Sequence, residues 1–233
     1  MTERRALVFG GTGVIGSEVL RELTRAGIAA TFTYCNSESL ARSLSAELGH
    51  ESTRVDLRDG SAIRDLIASL GCPDIFVHCA GKSSVQQIED ISDDDWDELE
   101  AINVRSAFIA ARELVKSKAP KAPLEIVLMG ALDAIRHTDS PPHFGATQGA
   151  LVGLTRTLAK CLGPIGVRTN LVVLGPVGAG ISAQFSEERR RSYLLHSALG
   201  RMAKPEEAAR TVRWLATENS YINGAVVPLT GGL

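Results

Sequence analysis

The sequence predicts one α/β domain: a doubly wound parallel sheet of about seven strands with helices on both faces. Three observations carry this. Short apolar runs alternate with amphipathic helical stretches along the whole chain. Several runs, such as Ala6-Leu7-Val8-Phe9, are apolar at consecutive positions, as strands buried on both faces are. The stretches between them are long enough to hold a helix and return the chain for parallel pairing. At 233 residues, a single domain spanning 1–233 is expected.

The first run, Ala6-Leu7-Val8-Phe9, reads as a buried strand. Residues 10–16 form a turn. The helix after it runs to about Ala26, with Val19, Leu20 and Leu23 on one face, and Gly27 ends it. A second strand covers Ala30 to Tyr34. Asn36 or Ser37 caps a helix repeating Leu40, Leu44 and Leu48. Thr53-Arg54-Val55 is a third strand, and Asp59 opens a helix with Ile63, Leu66, Ile67 and Leu70. Ile75-Phe76-Val77-His78 is the fourth strand. Ser92 caps a long helix carrying Trp96, Leu99, Ile102, Phe108 and Leu114. Strands at 124–129 and 168–174 bracket a helix from about His143 to Leu162. A helix over 187–199, another from Pro205 through Trp214, and a strand at 225–228 complete the chain.

A net charge of -2 and a pI near 6.2 give no sign of a nucleic-acid partner. No apolar run approaches the roughly 18 residues of a membrane span, and the N-terminal residues lead directly into a strand without the pattern of a signal peptide. The four cysteines lack metal spacing, and three sit in apolar or strand contexts as small buried hydrophobes do, so no metal and a cytoplasmic location are expected.

Gly10-Gly11-Thr12-Gly13-Val14-Ile15-Gly16 stands between the first strand and the first helix. Glycines so spaced let the backbone turn sharply and let a phosphate approach the helix N-terminus, the Rossmann arrangement for dinucleotides. Further segments follow a family pattern: Asp56-Leu57, His78-Cys79-Ala80-Gly81, Ile102-Asn103-Val104, Gly200-Arg201-Met202, Pro205-Glu206-Glu207-Ala208 and Thr230-Gly231-Gly232. With these, nearly the whole chain resembles the short-chain dehydrogenase/reductases, in particular the 3-oxoacyl-[acyl-carrier-protein] reductases. The resemblance implies a cofactor site built from Gly10, Thr12, Gly13, Ile15 and Gly16, with Asn36 at the end of the second strand. Asp56 and Leu57 would meet the adenine, and Cys79, Ala80, Gly81, Gly175, Pro176 and Val177 the rest of the nucleotide. The chain departs from the pattern at Phe9, at His78-Cys79 and at Leu174-Gly175-Pro176. No acid ends the second strand, which reads Tyr34-Cys35-Asn36-Ser37. An acid there would bind the ribose of NAD and repel a 2′-phosphate, so NADP(H) is expected over NAD(H). No Arg in that stretch grips the phosphate.

The family's reaction uses a Ser, a Tyr and a Lys four residues after the Tyr. The helix Gly153-Leu154-Thr155-Arg156-Thr157-Leu158-Ala159 sets the alignment, which puts Ala131 at the Ser position, Phe144 at the Tyr position and Gln148 at the Lys position. Of the usual four groups only Asn103 remains. General acid catalysis is worth roughly 10²–10⁴-fold and oxyanion hydrogen bonds a comparable factor. His143 is a substitute acid if it turns inward, but adjacent helical residues point about 100° apart, which favours a surface position. His137, Asp133 and Asp139 lie in or beside the same loop, and Thr147 reads as packing. Arg189-Arg190-Arg191 reads as a solvated charge run, or as a contact for an acidic carrier protein.

Three functions follow. One is a weak or inactive subunit that supports an active reductase paralogue, in a homo- or hetero-oligomer built on the helices starting near Ser92 and His143. Another is an NADPH-dependent reductase of a ketone or activated alkene, such as an acyl-carrier-linked substrate, using a different proton donor. The third is a nucleotide sensor or non-redox protein.

Overall fold

The computed structural model describes residues 4–120, 122–136 and 138–233. The seven strands are β1 (Arg5–Phe9), β2 (Ala29–Tyr34), β3 (Glu51–Arg54), β4 (Ile75–His78), β5 (Leu124–Ala131), β6 (Val167–Leu174) and β7 (Val226–Leu229). They form one sheet in the order β3-β2-β1-β4-β5-β6-β7, every pairing parallel. The order reverses between β1 and β4, the crevice where open α/β sheets bind ligands. This is the doubly wound Rossmann architecture.

The strand alternation sorts the core. Leu7 and Phe9 point to one face, where they meet Ile63 and Ile67 of α3 (Gly60–Leu70), Ala110 and Leu114 of α5 (Ser106–Ser117) and Leu151 of α6 (Pro142–Leu162). Ala6 and Val8 point to the other face. There they meet Val19, Leu20 and Leu23 of α1 (Val14–Arg25), Leu44 of α2 (Glu38–Leu48) and Val212 and Leu215 of α8 (Pro205–Thr217). α8 lies along α1 and is pinned there by Arg213 to Glu22 at 3.2 Å.

Some elements differ from expectation. α1 starts at Val14, so Gly16 belongs to its first turn. In α2 the buried residues are Ala41 and Leu44, and Leu40 faces solvent. The long helix after Ser92 is two helices, α4 (Asp93–Glu100) and α5, joined by a π turn over Ala101–Arg105. The turn adds one residue to the helical path, and Trp96 and Phe108 are 47% and 43% exposed. β5 runs two residues past Met129 because it stays in register with β6 up to Ala131↔Leu174. α7 (Glu187–His196) ends before Leu199. No helix among the described residues is long and apolar enough to cross a membrane.

Candidate active site

The glycine turn is set by close approach. Gly10 has φ 74°, and a Cβ there would stand 2.8 Å from the Ala80 backbone. A Cβ on Gly16 would collide with the Gly10 carbonyl. Thr33 of β2 holds the turn: its Oγ1 accepts from Gly10 N at 3.1 Å and its carbonyl from Gly11 N at 2.9 Å. Gly13 is the N-cap of α1 and offers no side-chain acceptor, and the first turn contains no acid. The leading N–H groups of α1 are therefore without a side-chain partner, a donor set suited to a diphosphate.

At the end of β2 the structure supplies a cation that the local sequence lacks. Tyr34 pairs with Arg54 across β2 and β3, and Arg54 Nε donates to the Cys35 carbonyl at 3.1 Å. The signal was the register of two strands, which local reading does not see. Asn36 is exposed beside it. Asp56 is engaged by Arg58, which donates through Nη2 at 2.6 Å and through its backbone N–H at 3.0 Å. The guanidinium holds the Asp56 carboxyl below its usual range. Leu57 is buried among Leu7 and Phe9, so only its backbone is left to meet a ligand.

A cavity of about 280 Å³ opens at the carboxyl edge of the sheet. Gly13, Ile15, Cys79, Ala80, Gly81, Gly175, Pro176 and Val177 line it, together with Asn103, Ala131, Phe144 and Gln148. Gly10, Thr12, Gly16, Asn36, Asp56 and Leu57 lie outside these walls. Burial pushes the Cys79 thiol up to about 12. A second hollow, about 500 Å³, lies between α7, α8 and β7 and shares only Pro176 with the expected site residues.

The polar groups at the reacting end satisfy one another. Asn103, in the π turn, accepts from Lys82 N at 2.8 Å and donates to Lys82 O at 2.9 Å and Thr147 Oγ1 at 3.1 Å. Gln148 Oε1 accepts from Ala131 N at 2.8 Å, and its Nε2 donates to Thr147 Oγ1 at 3.1 Å. The Ala131 N–H needs an acceptor, which fixes the orientation of the amide. Thr147 Oγ1 donates to the Phe144 carbonyl at 2.7 Å. Thr147, expected as packing, is the buried hub of a neutral network. Phe144 presents a ring to the cavity and Ala131 a methyl group.

The surface reading of His143 is corrected. Its side chain is 1% exposed, because α6 packs on α4 and covers that face. Neither ring nitrogen has a hydrogen-bond partner, and His143 is not among the residues lining the cavity. Burial lowers its pKa, opposed by the charge of Asp95. His78 is a structural group: Ser106 donates to Ile102 O, so His78 Nε2 donates to Ser106 Oγ at 2.7 Å. Asp133 accepts from Thr138 at 2.5 Å. His137 lies outside the described residues. Among the cavity-lining residues not foreseen as such are Arg189 and Tyr193, four apart on one face of α7.

Fold, glycine turn and cleft together define a dinucleotide-binding protein of the Rossmann kind. The model of the enoyl-(acyl carrier protein) reductase family matches residues 12–233, and the chain belongs to the short-chain dehydrogenase/reductase family. It is 30% identical over 234 residues to the cyclic-di-GMP-binding biofilm dispersal mediator protein of Escherichia coli K12, covering 99% of this chain and 97% of that protein. It is 26% identical to the 3-oxoacyl-[acyl-carrier-protein] reductase FabG of Rickettsia conorii, covering 100% and 98%. Among solved structures, BdcA in complex with NADPH superposes with a TM-score of 0.92 at 28% identity, covering 100% of this chain and 95% of that one. A short-chain dehydrogenase from Burkholderia cenocepacia in complex with NADP gives 0.88 at 28% identity, covering 98% and 97%.

Proposed function

We propose that this chain binds NADP(H), carries out little or no carbonyl reduction unaided, and serves as a weak or inactive subunit beside an active reductase paralogue. The observation that carries the reading is the closed network of Asn103, Thr147, Gln148 and the Ala131 N–H. It commits the polar side chains at the reacting end to one another. By the family resemblance, Ala131, Phe144 and Gln148 stand where a Ser, a Tyr and a Lys would act. Phe144 has no proton to give and Ala131 no hydroxyl to hold a substrate oxygen.

NADP(H) fits the residues present. The uncapped start of α1 would hold the diphosphate, Arg54 the 2′-phosphate, and the loops carrying Cys79–Gly81 and Gly175–Val177 the nicotinamide end. When bound, the nicotinamide supplies or accepts hydride. The chain's own residues bind and orient the nucleotide and keep the reacting end neutral. The exposed Trp96 and Phe108 support association through the α4–α5 side, with a second copy or with the paralogue. The FabG relative supports an acyl-carrier-linked substrate for such an assembly.

A nucleotide-sensing role is favoured by the E. coli relative, which is named for the dinucleotide it binds and not for a reaction. Reduction with a different acid has one phenol to call on, Tyr193 in the cavity wall.

Calorimetric titration tests the proposal. NADPH binds more tightly than NADH, and Arg54→Ala reduces that preference by about tenfold or more, the worth of a charge-assisted phosphate contact. No heat with either nucleotide at millimolar concentration refutes cofactor binding. Brisk NADPH oxidation with a 3-oxoacyl thioester refutes the loss of chemistry.

A further inference from the structure

The cavity wall contains Arg189, which has no part in the nucleotide site proposed above. The run Arg189-Arg190-Arg191 divides three ways. Arg190 donates to the carbonyls of Ser182, Ala183 and Phe185, closing the 3-10 turn before α7. Arg191 is exposed. Arg189 turns into the cavity, half-buried, with its guanidinium carbon 4.2 Å from the centre of the Phe185 ring. Phe185 is itself stacked on Tyr193 at 5.5 Å and 21°. Arg189 Nη2 donates to Ser140 Oγ at 3.2 Å. That hydroxyl lies 2.7 Å from Thr138, and Thr138 donates to Asp133. A carboxylate thus reaches the guanidinium only through two hydroxyls.

Arg21, Arg25, Arg58, Arg168, Arg201 and Arg213 each face a carboxylate directly; Arg189 makes no ion pair among the described residues. A guanidinium has five N–H donors in a planar fork, and the fork matches a carboxylate. The guanidinium lies over the Phe185 ring, and the one hydrogen bond its fork makes among the described residues is to Ser140. The cavity is lined by apolar Val85, Leu132, Phe144 and Ile181 together with Lys82, Asp133 and several serines, and Asp133 is joined to Arg189 only through hydroxyls. A guanidinium without a direct carboxylate partner is stabilised by an anion in the same space.

We propose that the far end of this cleft takes a small organic acid, with one carboxylate on Arg189 and an apolar or planar body against Phe144 and Ile181. This rests on reading the cleft as the ligand site, with the nucleotide at the glycine-turn end. The small volume, shared with that nucleotide, favours a carboxylate on a compact body over a phosphorylated ligand.

The test titrates the full-length protein with 2-naphthoate and its neutral isostere 2-naphthamide, with inorganic phosphate as competitor and NADPH measured in the same samples. Naphthoate binds at least about tenfold more tightly than naphthamide, Arg189→Gln removes the difference, and Arg191→Gln retains it. Equal binding of the two probes to the unmodified protein, or binding of neither, overturns the proposal even if Arg189→Gln fails to fold. Displacement of naphthoate by equimolar phosphate overturns the choice of carboxylate. NADPH binding without a naphthoate preference removes this inference and leaves the cofactor reading intact. A naphthoate preference without NADPH binding does the reverse.

Discussion

Gln148 is the position at which restoring the family's lysine conflicts with the structure most directly. Its side chain is 4% exposed, accepts from the Ala131 N–H at 2.8 Å and donates to Thr147. Gln148→Met keeps the volume and removes the amide, leaving the Ala131 N–H without its acceptor. An unmet buried donor costs about 1–3 kcal/mol, an upper range for this part-buried N–H. At about 2–4 °C per kcal/mol for a chain of this size, the melting temperature falls by roughly 2–12 °C. Gln148→Lys falls at least as far, because it removes the same acceptor and brings a charge into the same space. Scanning calorimetry of the three proteins without nucleotide measures this. If Gln148→Met melts within a degree of the parent, or Gln148→Lys melts above it, the network does not hold the amide and the central argument for lost chemistry fails.

The triple change Ala131→Ser, Phe144→Tyr and Gln148→Lys restores measurable NADPH oxidation with a 3-oxoacyl thioester, while Phe144→Tyr alone restores little, since an unassisted phenol near pKa ~10 is a poor acid; an inactive triple variant that still binds NADPH shows that the substrate end has changed as well. His78 is buried and its pKa is lowered by that burial to about 4 from an ordinary 6.5. The unfolded chain therefore binds the extra proton first, so this contribution to stability is complete above pH 6.5 and is lost as pH falls toward 4, in all by roughly 3 kcal/mol. Urea unfolding from pH 7.5 to 4.5 reads it, and an acid limb no flatter in His78→Phe than in the parent contradicts it. Phe108→Asp leaves the melting temperature nearly unchanged, since that side chain is half in solvent, yet dissociates the oligomer by light scattering; a parent that is monomeric at micromolar concentration leaves only the mixed assembly.

The centre of the sheet was legible because its strands are buried on both faces, and Ile75-Phe76-Val77-His78 is β4 to the residue. The glycine turn was legible for a similar reason, as Gly10 and Gly16 meet backbone that no side chain can share. What the sequence concealed depends on contacts between distant segments. Arg54 reaches the end of β2 only through strand register. His143 looked exposed at a helix start and is covered by α4. The π turn at Ala101–Arg105 divides what periodicity reads as one long helix. Arg189 was one of three identical letters, and only the path of α7 distinguishes it.

The seating of α8 on α1 has a consequence for synthesis. The face of the sheet under α3, α5 and α6 has all its helices once residue 162 has emerged from the ribosome. The opposite face waits for residues 205–217, although its own helix α1 is among the first segments made. Throughout that interval the nascent chain lacks the residues, Val212 and Leu215, that will cover Val19, Leu20 and Leu23. The apolar surface so exposed is a natural landing place for a chaperone, and a chain stalled before residue 205 would yield a sticky intermediate.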